Sequence, residues 1–129
     1  MLTEKDIEKY LKDKVKKAGG IAYKFISPGN NAVPDRLVCL PWTAQIFFVE
    51  TKAPGKKPAP QQRARHRELR RLNQVVFGKI DSKEDVDTFM DIIQRRAPLT
   101  GGMIKDLEMV DIKDFDTIDE EKRYEIYAI

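Results

Sequence analysis

Cysteine is almost absent from this chain of 129 residues, in which Cys39 is the only one. A single cysteine excludes an intramolecular disulfide, and we expect Cys39 to be a buried apolar residue rather than a reactive thiol. Long apolar runs are also absent, because no stretch approaches the ~20 residues of a membrane-spanning helix. The charged residues that soon follow Met1 do not fit a secretory signal. We therefore expect a cytoplasmic protein with no membrane partner.

Charge, in contrast, is abundant, since 35% of the residues are charged and 41% are hydrophobic. This composition is typical of a soluble globular protein, and the length fits one domain. The net charge of +3 is unevenly distributed, because residues 1–96 carry +8 and residues 97–129 carry −5. A basic body with an acidic tail indicates a polyanionic partner, although a solvated surface that merely divides in this way is an alternative.

The predicted elements follow the order α, β, β, β, α, β, α, which indicates an α/β fold with a mixed sheet flanked by helices. Thr3 is a predicted helix N-cap, with Asp6 three residues further on. Pro60 suits the first turn of the second helix, whose Leu69 and Leu72 should pack inward. We predict strands at residues 21–26, 36–40, 45–52 and 75–80, and helices at about 3–18, 61–73 and 83–96.

Three charged residues flank the predicted central strands. Asp35 stands at the start of one strand, and Glu50 and Lys52 stand near the end of the next. If these strands pair antiparallel, Asp35 comes close to Glu50, and residues 50 and 52 share one face because side chains alternate along a strand. Carboxylate oxygens are the ligands that Mg²⁺ or Mn²⁺ prefers. The pattern predicts a metal-dependent site for phosphodiester hydrolysis, in which Lys52 orients or deprotonates the attacking water or neutralises developing charge.

Two features of this prediction have plainer explanations. A salt bridge between Glu50 and Lys52 at a buried strand end would also account for their spacing. Gln62 lies seven residues before Leu69, about two helical turns, so its amide should face the sheet near Lys52. The alternative is that this amide only satisfies backbone groups at the start of its helix.

Three segments carry a family resemblance. They are residues 28–36 with Val33-Pro34-Asp35, residues 48–55 with Glu50-Thr51-Lys52, and residues 60–69 with Pro60-Gln61-Gln62, His66 and Leu69. As a set, and in this order, they resemble the VRR-NUC family of the PD-(D/E)xK nuclease superfamily, and its small stand-alone phage and bacterial members in particular. The resemblance covers residues 1–96 and implies a restriction-endonuclease-like core. Residues 97–129 have no counterpart and form an acidic C-terminal extension of unknown role.

The resemblance implies an endonuclease that depends on Mg²⁺ or Mn²⁺, hydrolyses DNA, works as a homodimer and is similar to Holliday-junction resolvases. It assigns Asp35 and Glu50 as metal ligands, Lys52 as the catalytic lysine and Gln62 as the active-site glutamine. It also implies a location in the cytoplasm of a bacterial cell, with a phage gene as one source.

Further candidates lie on the helices. Related resolvases use a glutamate of the first helix as an additional ligand, and Glu8 is the candidate here because it lies on the inward face. Glu4, one turn earlier on that face, is its competitor, and the remaining alternative is that neither glutamate is a ligand. His66 is expected to be structural or substrate-facing, because this metal chemistry needs no histidine base. DNA contacts are predicted for seven basic residues, Lys56, Lys57, Arg63, Arg65, Arg67, Arg70 and Arg71.

Two other functions fit the same sequence. A non-catalytic DNA-binding or recombination accessory protein would use the basic surface without cleavage. A flap or single-strand nuclease would use the same site on another substrate. The variant Glu50→Ala separates an enzyme from a binding module, because only the enzyme has a Mg²⁺-dependent cleavage to lose.

Overall fold

The computed structural model describes residues 1–94, and its seven elements follow the predicted order. The helices are α1 (Glu4–Lys17), α2 (Pro60–Arg71) and α3 (Lys83–Ile93), and the strands are β1 (Ile21–Lys24), β2 (Arg36–Cys39), β3 (Phe47–Thr51) and β4 (Val75–Ile80). The acidic extension at 97–129 lies outside the described residues. No helix in this part of the chain is long and apolar enough to cross a membrane.

The four strands form one mixed sheet in the order β1-β2-β3-β4. β1, β2 and β3 are antiparallel neighbours, whereas β4 runs parallel to β3 after the crossover through α2. The register pairs Arg36 with Val49. Asp35, which precedes Arg36, therefore lies across from Glu50, which follows Val49. The predicted antiparallel pairing of the second and third strands is confirmed.

One face of the sheet packs against α1 and α3, which also contact each other. In α1 the side chains of Ile7, Leu11 and Val15 are fully buried, as their four-residue spacing predicts. Phe89 of α3 meets Phe77 of β4 edge to face, with 4.7 Å between the ring centroids. This side of the sheet holds the apolar core.

The second helix, α2, packs on β4 and buries polar side chains. Its buried residues are His66 and Arg70, one turn apart, whereas Leu72 is the C-cap and is 66% exposed. The prediction that Leu72 packs inward is wrong, because the helix ends before it. Arg70 donates from Nη2 to the carbonyl oxygen of Val76 at 2.7 Å, and this bond ties α2 to the sheet.

A β-bulge between β3 and β4 lies beside Glu50. β4 contains one extra residue between its pairings with Val49 and Thr51. Such bulges bend a strand and re-aim its side chains. Gly78 lies in the bulged stretch against the ring of His66, because a Cβ on Gly78 would come within 2.8 Å of His66 Nδ1. A residue without a side chain is needed for α2 to approach the sheet this closely.

The sheet face around β1 carries apolar side chains that the described helices leave accessible. Ile21 and Tyr23 on the edge strand are 53% and 52% exposed. Cys39, which pairs with Ile21, is half-buried rather than buried. The prediction for Cys39 therefore needs correction: its side chain alternates with that of the buried Val38, so it points away from the core side.

His66 makes stability depend on pH. Its side chain is fully buried, and within residues 1–94 neither ring nitrogen has a hydrogen-bond partner. Burial, together with the positive charges of Arg70 and Lys52, lowers the pKa of His66 from 6.5 to about 3. Below pH 6.5 the unfolded chain gains a proton that the folded protein does not bind. The free energy of unfolding therefore falls through this group as the pH drops from 6.5 toward 3.

We expect His66→Leu to remove this dependence. When the pH is lowered from about 7.5 to about 5, the free energy of unfolding of the wild type should fall by about 2 kcal/mol relative to that of the variant. Urea unfolding of both proteins at the two pH values measures the change. If the free energies of unfolding of the two proteins differ by the same amount at both pH values, His66 accepts a proton in the folded protein.

Candidate active site

The ends of β2 and β3 bring two carboxyl groups together. The main chain of Asp35 is fixed by Phe25, whose N–H donates to the Asp35 carbonyl oxygen at 2.8 Å. The Asp35 side chain accepts two hydrogen bonds from Thr51, from the backbone N–H at 3.2 Å and from the hydroxyl at 2.7 Å. Because Thr51 directly follows Glu50, these bonds hold Asp35 beside the Glu50 end of β3.

Glu50 is 3% exposed, and its Oε1 atom makes two polar contacts. Gln62 donates to it from Nε2 at 3.0 Å, and the Nζ atom of Lys52 lies 3.6 Å away. The Oε2 atom is buried and has no hydrogen-bond partner in the described part of the chain. The predicted common face of residues 50 and 52 is confirmed, and the salt bridge considered as an alternative belongs to the same arrangement.

Both carboxyl groups are hard to ionise. Burial, reinforced by the nearby charge of Asp35, raises the pKa of Glu50 to about 8, although Lys52 acts in the opposite direction. Burial also raises the pKa of Asp35, and the hydrogen bonds from Thr51 partly offset that rise. A neighbouring positive charge would lower both pKa values, because it offsets the repulsion and the desolvation of the ionised forms.

Gln62 caps its own helix, as the alternative explanation holds, and its amide also faces the sheet, where it contacts Glu50. Its Oε1 atom accepts a hydrogen bond from the N–H of Ala59 at 2.8 Å and so caps the start of α2. Its amide nitrogen donates to Glu50. Because the capping bond fixes one end of the amide, the other end is directed at the carboxylate.

The two glutamates of α1 have different surroundings. Glu8 forms an ion pair with the buried Arg36, so it could become a ligand only by leaving that pair. Glu4 is exposed, and its charge raises the pKa of both Asp35 and Glu50. Among residues 1–94, no group of three His, Cys, Asp or Glu side chains is placed to hold a metal ion.

The basic residues predicted to contact DNA divide into two groups. Arg70 is 1% exposed and its guanidinium is bonded to the sheet, so the structure removes it from the surface set. The other six are partly or fully exposed on α2 and the loop before it, namely Lys56, Lys57, Arg63, Arg65, Arg67 and Arg71. His66 is buried behind Gly78, which fits a structural role and not a substrate-facing one.

Thr51 and Arg36 are the residues of the site that sequence reasoning did not single out. Both directly neighbour predicted site residues, since Thr51 lies between Glu50 and Lys52 and Arg36 follows Asp35. Simple alternation along β3 places the Thr51 side chain on the face away from Glu50. Its bond to Asp35 is a tertiary contact, and strand alternation alone does not predict it.

These residues define a class of protein. Two adjacent carboxyl groups, a lysine and a glutamine at the end of a mixed sheet supply the charge and the hydrogen bonds that phosphodiester hydrolysis requires. The arrangement is that of a nuclease with a restriction-endonuclease-like core.

Similarity to known proteins identifies the family of this chain. No family profile matches it. The protein named "Putative nuclease p44", from Acyrthosiphon pisum secondary endosymbiont phage 1, is 51% identical over 84 residues, which are 65% of this chain and 88% of that protein. A solved structure described as "VRR_NUC domain" is similar with a TM-score of 0.63 and 33% identity, covering 70% of this chain and 97% of the other. The chain belongs to the VRR-NUC family of nucleases.

We predict that Glu50→Gln stabilises the fold at alkaline pH. The pKa of Glu50 is raised from 4.5 to about 8, so the folded protein holds a proton that the unfolded chain releases. The stability that this group contributes is complete below pH 4.5 and is lost as the pH rises through about 8. The amide of the variant does not titrate.

In a chelator-containing buffer, the stability advantage of Glu50→Gln over the wild type should grow by several kcal/mol between about pH 5 and about pH 9. Thermal and urea unfolding at both values measure this. Glu84→Gln, which changes an exposed residue in the first turn of α3, is the control and should show no such trend. A pH-independent effect of the Glu50 variant would mean that Glu50 is ionised in the folded protein.

Proposed function

We propose that this nuclease is a Mg²⁺- or Mn²⁺-dependent endodeoxyribonuclease. The observation that carries the proposal is the pairing of the half-buried carboxyl group of Asp35 with the buried carboxyl group of Glu50, with Lys52 3.6 Å from the Glu50 oxygen. The basic surface of α2 and its preceding loop supports a polyanionic substrate next to this pair.

The donor set fits a hard divalent cation. Mg²⁺ is commonly held by one or two carboxylates together with waters and substrate phosphate, rather than by a cage made of protein alone. Asp35 and Glu50 supply two carboxylates, and the buried Oε2 atom of Glu50 is an acceptor without a partner among the described residues. When bound, such an ion activates water and stabilises charge on the phosphate.

The side chains around the pair have distinct tasks in this proposal. Thr51 keeps Asp35 in place through its hydroxyl and its backbone N–H. Gln62 keeps Glu50 oriented, because its own amide is fixed by the helix cap. Lys52 brings the positive charge that orients the water or neutralises the charge developing on the phosphate.

We further propose that the substrate is branched DNA and that the protein acts as a homodimer. A small domain with one active site cuts two strands of a junction only when two copies each present a site. The exposed apolar side chains Ile21 and Tyr23 on the edge strand support a self-associating surface, since patches of this kind are typical of interfaces.

Cleavage assays test the catalytic proposal. With four-way junction, flap and linear duplex DNA, we expect the wild type to cut the junction in Mg²⁺ and to cut nothing in EDTA. Lys52→Met should lower the rate by about 10²-fold or more, because it removes positive charge from the reacting phosphate. Lys12→Met, which removes an exposed lysine of α1, is the matched control. Equal rates for the two variants would contradict the role of Lys52, and cleavage in EDTA would contradict the metal dependence.

Sedimentation velocity tests the homodimer. The full chain should sediment at twice the monomer mass of 14.9 kDa at concentrations used for cleavage. The double variant Ile21→Asp/Tyr23→Asp should shift the protein toward monomer and lower junction cleavage, because it places charge on the apolar edge. If the wild type cleaves the junction while it is entirely monomeric, the homodimer proposal is wrong.

A further inference from the structure

A groove runs between α2 and the loop that leads into Asp35. Its volume is about 440 Å³. One wall is the loop at Asn31 and Ala32, and the other is the outer side of α2, including Arg65, Glu68 and Arg71.

The groove carries a guanidinium that is already fixed in place. Arg65 donates from Nε to the carbonyl oxygen of Asn31 at 3.1 Å and from Nη1 to Glu68 at 2.6 Å. The bond to Asn31 joins the loop to α2 and holds the guanidinium at the groove, whereas the bond to Glu68 lies within α2 and occupies one of the guanidinium donors. A guanidinium has five N–H donors and is suited to phosphate oxygens, and one that is held before binding loses less entropy on binding.

The groove adjoins the proposed active site through both of its walls. The loop wall continues from Ala32 to Asp35 within three residues, and Gln61, which also lines the groove, directly precedes Gln62. Asp35 and Gln62 are the residues that flank Glu50. The groove therefore lies within a few residues of the site along both walls, where the nucleotides next to a phosphate at Glu50 could reach it.

We propose that the groove between the Asn31 loop and α2 binds the phosphodiester backbone next to the phosphate that is cleaved, with Arg65 and Arg71 as its cationic contacts. This inference rests on the proposed function, because it assumes a nucleic acid at Glu50. Glu68 acts against binding, since its carboxylate faces the same groove and occupies Arg65. Two neighbouring charged residues thus have opposite effects on affinity.

Binding measurements on the full chain test the proposal. A fluorescein-labelled DNA hairpin is titrated in EDTA at several salt concentrations, so that no cleavage occurs. Arg71→Gln should raise the Kd about fivefold and lower the slope of log K against log salt by about 0.9, the value for one phosphate contact on duplex DNA. Glu68→Gln should lower the Kd about threefold at low salt.

Matched control variants distinguish an effect of the groove on the Kd from a general effect of net charge. Lys9→Gln removes one positive charge and Glu84→Gln one negative charge at exposed positions on α1 and α3. Both controls should leave the Kd unchanged. The proposal is overturned if Glu68→Gln and Glu84→Gln have equal effects, or if Glu68→Gln weakens binding, and because Glu68 is exposed this variant decides the matter even if Arg71→Gln folds poorly.

The two proposals fail in different ways. If the wild type cleaves no DNA with any divalent cation but the groove variants shift the Kd as expected, the catalytic proposal fails and the groove stands. If cleavage is observed and the groove variants behave like their controls, the groove proposal fails and the catalytic one stands.

Discussion

The repulsion between two neighbouring carboxyl groups, one buried and one half-buried, is the constraint on which the site of this protein depends. Asp35 and Glu50 are brought together by the pairing of β2 with β3, and burial raises the pKa of both. Such a pair is unfavourable by itself. It persists because Thr51 donates two hydrogen bonds to one carboxyl group, while Gln62 and Lys52 contact the other.

The surrounding fold serves to hold this pair rigidly. α1 and α3 bury their apolar side chains against one face of the sheet and form the hydrophobic core together with the strands. α2 packs against the sheet at β4 with His66 and Arg70 in place of apolar residues, and Gly78 allows its close approach. The polar helix therefore gains less from burial, but it positions Gln62 at its first turn and presents a basic outer surface to solvent.

Unpaired polar groups in the interior of a protein lower its stability, and they are kept where function requires them. Glu50 has an acceptor without a partner in the described part of the chain, and Glu50 would be easier to bury as an amide. The family likeness to a phage nuclease and to a VRR_NUC structure fits the proposal that this carboxyl group is kept for function. His66 shows no comparable link to the chemistry.

The sequence by itself determined the order of the seven elements and the common face of Glu50 and Lys52, because helix caps, proline positions and strand alternation are local properties. It also brought Asp35 to Glu50 once antiparallel pairing was assumed. Only the tertiary structure decided that Thr51 holds Asp35, that Glu8 pairs with Arg36 and that Arg70, not Leu72, packs inward. These contacts depend on the distance between elements and on where a helix ends, and neither of these is a property of neighbouring residues alone.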